Sequence, residues 1–422
     1  MIAKLARMNR TRWLAAAISL LTLAAAGCSS TTQGTAPTSL RVWMTDDWVT
    51  PPFLDAVRDF ERTHTDVRIA VDKRPIRGML DAVQAVVNVD NAPDIVQAHA
   101  YSAAVRGLAQ PVDDLWEGQL KPSEFFPGAI EDVTWAGRRY GVPLDTSALV
   151  LLYNADKFKE RGLSMPTGAM TFGDLAELAR KLSTPDGSQR AIALATSTWR
   201  TYGWIAANGG EWVRVGPDGR PQFSLDSPEA VDALNFLATL VREGLAFPPR
   251  ASETHSSDVF ALFQSGTTAM YTTGGWDAVK LRKSRPEVDY RALPMPRGST
   301  GLTEGSAMGG SSLFVPKGSK NRKLAFEFMR HLIDDRYALR LAKEEGRLPV
   351  RPRVYVDPFF QDPILQIVLE QLKTARPEKI DAFPQASTAL SAVLDQILRQ
   401  EADAATALRQ AQVKAQASLG PP

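Results

Sequence analysis

Trp276 follows Gly274-Gly275 and precedes Asp277, and Trp199 heads a run that reaches Ile205-Ala206-Ala207. Asp46 adjoins Asp47, Asp145 is followed by Thr146-Ser147, and Gln97, His99 and Tyr101 alternate behind an apolar run. An indole face packs on apolar C–H groups, while carboxylates, amides and guanidinium take hydroxyls in planar, bidentate geometry. Together these groups suit the gripping of a small polar molecule. Groups that break bonds are harder to find. The four histidines, His64, His99, His255 and His331, do not pair at metal-ligand spacing. No G-x-S-x-G elbow occurs. Gly305 to Gly310 is rich in Gly and Ser but lacks a phosphate-loop lysine. Two carboxylates could cleave a glycoside, but their separation is spatial and no pair is marked in the chain. No metal and no cofactor is expected.

Each candidate has a plainer reading beside it. Trp276 either stacks on a ligand or caps the strand containing Met270 as a core residue. Gly275 lacks a side chain, so backbone can approach a ligand there. Asp46 and Asp47 lie where a strand ends and a helix begins, so one of them could be a helix cap. Trp43 lies next to that loop, but strand alternation can turn it into the core. Trp204 or Trp212 could serve in place of Trp199. One or two of Gln97, His99 and Tyr101 are expected to face a ligand. Arg351 could hold vicinal hydroxyls, a carboxylate or a phosphate, or form an ion pair that holds lobes together. Gly309-Gly310 offers backbone N–H groups.

The elements that must position these residues follow an α/β pattern. Leu40 to Met44 reads as a strand, Phe53 to Thr63 as an amphipathic helix, and Val67 to Val71 as a second strand. A helix around Met79 to Val87 and a strand at Ile95 to Gln97 complete β-α-β-α-β, the opening of a parallel sheet with helices on both faces. Ligands bind beyond the carboxyl ends of such strands. Residues 140 to 154 carry the next decision. Gly141 and Pro143 read as a turn, Asp145-Thr146-Ser147 as a polar triplet, and Ala148 to Leu152 as a strand buried on both faces. A chain can leave one core there, pass a crevice and enter another. Further on, Thr171 is a plausible cap for a helix over 172–182. Asn208-Gly209-Gly210 stops a helix, and Pro217-Asp218-Gly219 reads as a hairpin turn.

With 422 residues the chain is too long for one compact core. Its net charge of +2 gives no nucleic-acid footprint. Lys4, Arg7, Arg10 and Arg12 precede an apolar run, Trp13 to Ala26, of signal-peptide length and too short to span a membrane. It ends in Leu23-Ala24-Ala25-Ala26-Gly27-Cys28, and Cys28 is the only cysteine. This resembles a bacterial lipobox, with Ala25 where the usual pattern has Leu. It implies a signal peptide over 1–27, a lipid on Cys28, and a Ser/Thr/Gly/Pro-rich tether over 28–39. With that thiol consumed, disulfides and thiolate catalysis are excluded.

Four patterns give the rest a family resemblance. They are Gly141-Val142-Pro143 through Leu152-Tyr153-Asn154; Phe263-Gln264-Ser265-Gly266 ending in Gly274-Gly275-Trp276; Val315-Pro316-Lys317-Gly318; and Gly346-Arg347-Leu348-Pro349-Val350-Arg351. In order and spacing the chain from about 40 to 415 resembles the extracellular solute-binding proteins of carbohydrate ABC importers, the maltodextrin-binding type. The resemblance implies a two-lobed periplasmic-binding-protein-like fold of type II, with a ligand cleft between lobes joined by a three-segment hinge. Lobe 1 would take 40–146 and 306–334, and lobe 2 would take 147–305 and 335–422, with crossings near Asp145-Thr146, Gly305-Ser306 and Asp334. It implies a monomer that captures a carbohydrate and closes over it, docking on membrane permease subunits driven by an ATPase. Trp276 and Trp199 match aromatic stacking positions, and Arg351 matches an arginine that often reaches the ligand. A glycerophosphodiester or sugar-phosphate ligand, a sensor that transports nothing, and a glycosidase are the alternatives.

Overall fold

A computed structural model describes residues 37–89, 92–216, 219–247, 256–298 and 305–419. The leader, Cys28 and most of the expected tether lie outside these residues, as do His255, Pro217 and Asp218. The chain opens as its periodicity requires: β1 (Thr38–Thr45), α1 (Pro51–Thr63), β2 (Val67–Arg74), α2 (Met79–Val86) and β3 (Ile95–Ala98). β1 pairs in parallel with both β2 and β3. In α1 the buried Phe53, Ala56, Val57 and Phe60 fall on one stripe. Its two prolines occupy the first turn, where a missing N–H costs nothing.

Short helices, among them α3 (Ala100–Val105) and α4 (Pro127–Asp132), lead to β4 (Gly141–Ala148), then directly to β5 (Val150–Asn154). Here the expected turn and polar triplet are a single strand. β4 is an edge strand, and an edge tolerates Pro143 because one side of its backbone needs no ladder partner. β5 behaves as its apolar run predicts and is buried throughout. Leu151 and Tyr153 enter one core while Val150 and Leu152 enter the other. Leu149 alone separates the two strands, so the chain changes sheet within one residue.

The second sheet gathers β6 (Arg190–Ala193), β7 (Ala246–Phe247), β8 (Thr268–Thr273) and β9 (Tyr290–Leu293) around β5, in the order β7-β6-β8-β5-β9. The chain then returns as β10 (Met308–Phe314), completing the first sheet as β2-β1-β3-β10-β4. Helices α5 (Phe172–Leu182), α6 (Thr198–Ala207) and α7 (Pro228–Arg242) belong to the second sheet's half, while α8 (Gly275–Ser284), which follows β8, packs on β4. Thr171 and Asp174 form the capping box of α5. Strands Val213–Val215 and Pro221–Phe223 pair as the expected hairpin.

Past β10 the chain runs through helices on both sides of Asp334. Helices α9 (Arg322–Leu332) and α10 (Asp335–Glu345) both pack on α1, in the first lobe. Tyr337, Ala338 and Leu341 supply the buried stripe of α10, and Arg336 and Arg340 pair with Asp59 and Asp55. Leu348 accepts a hydrogen bond from the Thr146 N–H at 3.0 Å. Next, α11 (Pro363–Leu372) touches β4 of one sheet and β5 and β9 of the other. Only after residue 376 does the chain commit to the second lobe, as α12 (Pro384–Leu398) and α13 (Ala404–Ala417) packed against α7. The result is a two-lobed α/β molecule whose third connection is long and well packed.

Candidate functional site

A cleft of about 480 Å³ opens at the carboxyl ends of the first sheet's parallel strands, between them and the helices of the second. Thr45, Asp47 and Trp48 reach it from the end of β1, and Gln97 and His99 from the end of β3. Asp145 comes from β4, and Gly309, Gly310 and Ser311 from β10. The facing wall is Ser197, Trp199 and Arg200 on or beside α6, with Trp276 and Lys280 on α8. Glu345 and Arg347 complete it.

One hydrogen-bond relay crosses its floor. Gln97 Oε1 accepts from the Thr45 N–H at 2.9 Å and the Thr45 hydroxyl at 3.1 Å. Its Nε2 donates to Ser311 Oγ at 3.1 Å, and Ser311 Oγ donates to Asp145 Oδ1 at 2.8 Å. Arg347 Nη1 stands 3.9 Å from Asp145 Oδ2, and Nη2 donates to Asp47. Burial pushes the Asp145 carboxyl above its ordinary range, against the pull of Arg347 and the Ser311 hydroxyl. Burial acts on Asp47 too, but the Thr45 hydroxyl and Arg347 outweigh it and hold that carboxyl low. One guanidinium therefore lies between two carboxylates and 4.9 Å over the Trp48 ring.

The aromatic wall depends on glycines. Trp199 and Trp276 approach to 5.7 Å between centroids with planes 38° apart. The Trp199 indole N–H donates to the Met308 carbonyl at 2.7 Å, which fixes that ring. A Cβ on Gly309 would come within 3.0 Å of Trp199 and 3.1 Å of Trp276. Gly310 has φ +115°, and a Cβ there would meet the Asp145 carbonyl at 2.4 Å. Both glycines hold space for neighbours that define the cleft.

Of the residues singled out in the sequence, the fold brings Asp47, Gln97, Asp145, Trp199, Trp276 and Gly310 into this cleft. Five stand elsewhere. Trp43 is only 3% exposed; its indole N–H donates to Asp72 at 3.1 Å and Arg74 lies 4.4 Å over its ring, toward the outer edge of the sheet. The Asp46 side chain is 80% exposed and pairs with Lys73 at 2.9 Å. Neither Asp46 nor Asp47 caps α1, whose N-cap position is Thr50. Tyr101 is buried and donates to Asp381. Gly275 starts α8, its N–H is taken by Ser147 Oγ at 2.9 Å, and its missing Cβ admits Leu348. Arg351 is 7% exposed, 3.4 Å from Asp335 and 5.2 Å over Phe125, beside a different depression bounded by His64 and His331.

Arg347 takes the place expected for Arg351. Gly346 ends α10 in the left-handed region at φ +72°, so the first side chain past the helix turns back into the cleft. A glycine that stops a helix just before an arginine was the readable signal. His99 also lines the cleft. Its Nδ1 lies 2.5 Å from Asp132 Oδ1; burial opposes the charge, but the Asp132 carboxylate wins and the imidazole is pushed up to about 10.

A family model described as "Bacterial extracellular solute-binding protein" matches residues 55–366. The chain belongs to that family. Among curated relatives, the maltodextrin-binding protein MdxE of Bacillus subtilis is 24% identical over 373 residues, covering 86% of each chain. The sn-glycerol-3-phosphate-binding periplasmic protein UgpB of Brucella melitensis is 25% identical over 395 residues, covering 86% of this chain and 88% of its own. Among solved structures, the ABC substrate-binding protein Lmo0181 of Listeria monocytogenes in complex with cycloalternan superposes with a TM-score of 0.78 at 20% identity. It covers 92% of this chain and all of its own. This last likeness bears on the fold. No described helix is long and apolar enough to cross a membrane.

Proposed function

We propose that this chain captures a neutral sugar or oligosaccharide in the cleft and delivers it to the permease of an ABC importer. The observation that carries the proposal is the pairing of Trp199 and Trp276 opposite the Asp47–Arg347–Asp145 relay. Indole faces take the C–H side of a pyranose, and the relay offers acceptors and donors to its hydroxyl rim. The groups come from both lobes, so a ligand that touches both favours closure by its differential affinity for the closed form. Binding without covalent chemistry is the reading, since Asp47 and Asp145 are both engaged with the Arg347 guanidinium. The lipobox pattern supports anchoring to the cell membrane through Cys28, and the protein acts as a monomer.

A second reading is a glycerophosphodiester or sugar phosphate, which the resemblance to UgpB favours. The cleft's charges favour the neutral ligand. Arg347 is shared by two carboxylates, Lys280 lies 3.6 Å from Asp277, and Arg200 is 4% exposed and donates to the Thr272 carbonyl. A phosphate at Arg347 would have to displace a carboxylate to be neutralised. A thermal-shift screen against neutral saccharides and glycerophosphodiesters separates the two. A rise in melting temperature with saccharides alone is expected, and a rise with the phosphodiesters alone overturns the proposal.

A further inference from the structure

Beside the cleft lies a second polar cluster, built on the segment that carries the chain between lobes. Residues 376–382 are held from three sides. From α3, the Tyr101 hydroxyl donates to Asp381, and Ser102 Oγ donates to Asp381 Oδ2 at 2.7 Å. From α4, Glu131 takes Arg376 at 2.8 Å and Lys379 at 3.2 Å. From α6, the Thr198 hydroxyl donates to Glu378 Oε1 at 3.1 Å. Thr198 stands between Ser197 and Trp199, both of which line the cleft, so the strap touches the cleft's wall from behind.

The cluster carries more carboxylate than its hydrogen bonds satisfy. Glu378 Oε2 and Asp132 Oδ2 are enclosed with no partner. Glu378 faces Asp381 on its own strap and His99 at the end of β3, with Tyr101, Glu131 and Asp132 around it. Tyr202 of α6 looks on from the second lobe, and Arg376 and Lys379 are already held by Glu131. Among the described residues no three such side chains are placed to hold a metal ion. A proton is left to balance the charge. Burial, then the neighbouring Asp381 carboxylate, pushes the Glu378 carboxyl up to about 8, against the Thr198 hydroxyl and the His99 charge. The strap is also conformationally loaded, because Lys379 sits in the left-handed region at φ +59° without being glycine.

We propose that residues 376–382 form a proton-dependent latch between the lobes, in which protonated Glu378 keeps the strap docked behind the cleft and its ionisation releases it. As a control on ligand release this rests on the cleft reading above, but the latch itself is a property of the ligand-free chain. The sign follows from linkage. Undocking puts Glu378 in water, where its carboxyl returns toward its ordinary range. The docked strap thus binds the extra proton, so its stability is fully present below that ordinary range and is lost as pH rises through the docked value. His99 is raised too, so the share of it released with the strap is lost from its ordinary value of 6.5 upward, overlapping the upper part of the Glu378 window.

Hydrogen–deuterium exchange of the full-length, ligand-free chain tests this. The amides to follow are those of Ile380 and Phe383, bonded at 2.8 and 3.0 Å to Glu378 and Ile380 carbonyls, with α7 as the internal control. Corrected for the intrinsic chemical rate, strap protection should fall by roughly tenfold per unit between about pH 5.5 and 7.5 while α7 stays level. Glu378→Gln should hold the strap level up to about pH 6.5, above which only the His99 share is lost. Asp381→Asn, which removes the neighbouring charge, should move the fall to lower pH. A wild-type strap that tracks α7, or a Glu378→Gln strap with the wild-type slope, overturns the latch. Neither outcome bears on which molecule the cleft binds.

Discussion

Trp199 and Trp276 meet across Gly309, their ring centroids 5.7 Å apart, with the Trp199 indole tied to the Met308 carbonyl. The gap between rings and strand is filled by nothing larger than a glycine. Gly309→Val should therefore force both rings aside, at an overpacking cost of about 1–3 kcal/mol. We expect saccharide affinity to fall by one to two orders of magnitude in calorimetric titration, with the circular-dichroism spectrum retained. Wild-type affinity in that variant would show that the rings do not define the site.

Arg347 and Arg351 make opposite predictions. Arg347→Ala removes a charge-assisted contact in the cleft and leaves Asp47 and Asp145 without their shared partner. Saccharide affinity should drop by about 1.5–3 kcal/mol. Arg351→Ala should leave affinity unchanged and lower the melting temperature, because its guanidinium packs over Phe125 beside Asp335. The reverse pattern would return the ligand role to Arg351.

The pH dependence of Arg347→Ala follows from the relay. Asp145 is already raised by burial, and losing Arg347 raises it further. A raised carboxyl stabilises the fold at low pH and ceases to do so as pH rises through its value. The melting-temperature deficit of the variant against wild type should therefore widen as pH is raised from acid toward neutral. A deficit independent of pH would mean Asp145 does not feel Arg347.

How much of this was legible in the chain depends on the range of the cause. Asp47 and Gln97 sit at strand ends of the parallel β-α-β-α-β opening, which put their loops on one rim, and Trp276 opens a helix behind a clear Gly-Gly signal. The paired strands β4 and β10 were not legible as such, because β4 becomes a strand only when residues far along the chain return to it. Tyr101 was misplaced for the same reason, its partner being Asp381. Trp43 was decided by its edge neighbours Asp72 and Arg74. The packing of α10 on α1 was not legible near Asp334, because two helical stripes match in a way that no local signal encodes.

Cys28 directly follows the expected leader, and lipid attachment there is what the lipobox resemblance proposes. Cys28→Ala should move the protein from the membrane fraction to the soluble fraction after cell lysis, read by immunoblot. Full retention in the membrane fraction would contradict the anchor.

The central claim is that a sugar lies on the tryptophan wall of the cleft. The most direct measurement is calorimetric titration of the best saccharide from the screen into wild type and Trp276→Ala, alongside their melting temperatures. The account predicts saturable heat with wild type, none measurable with the variant, and nearly equal melting temperatures. Equal heats in the two proteins would contradict it.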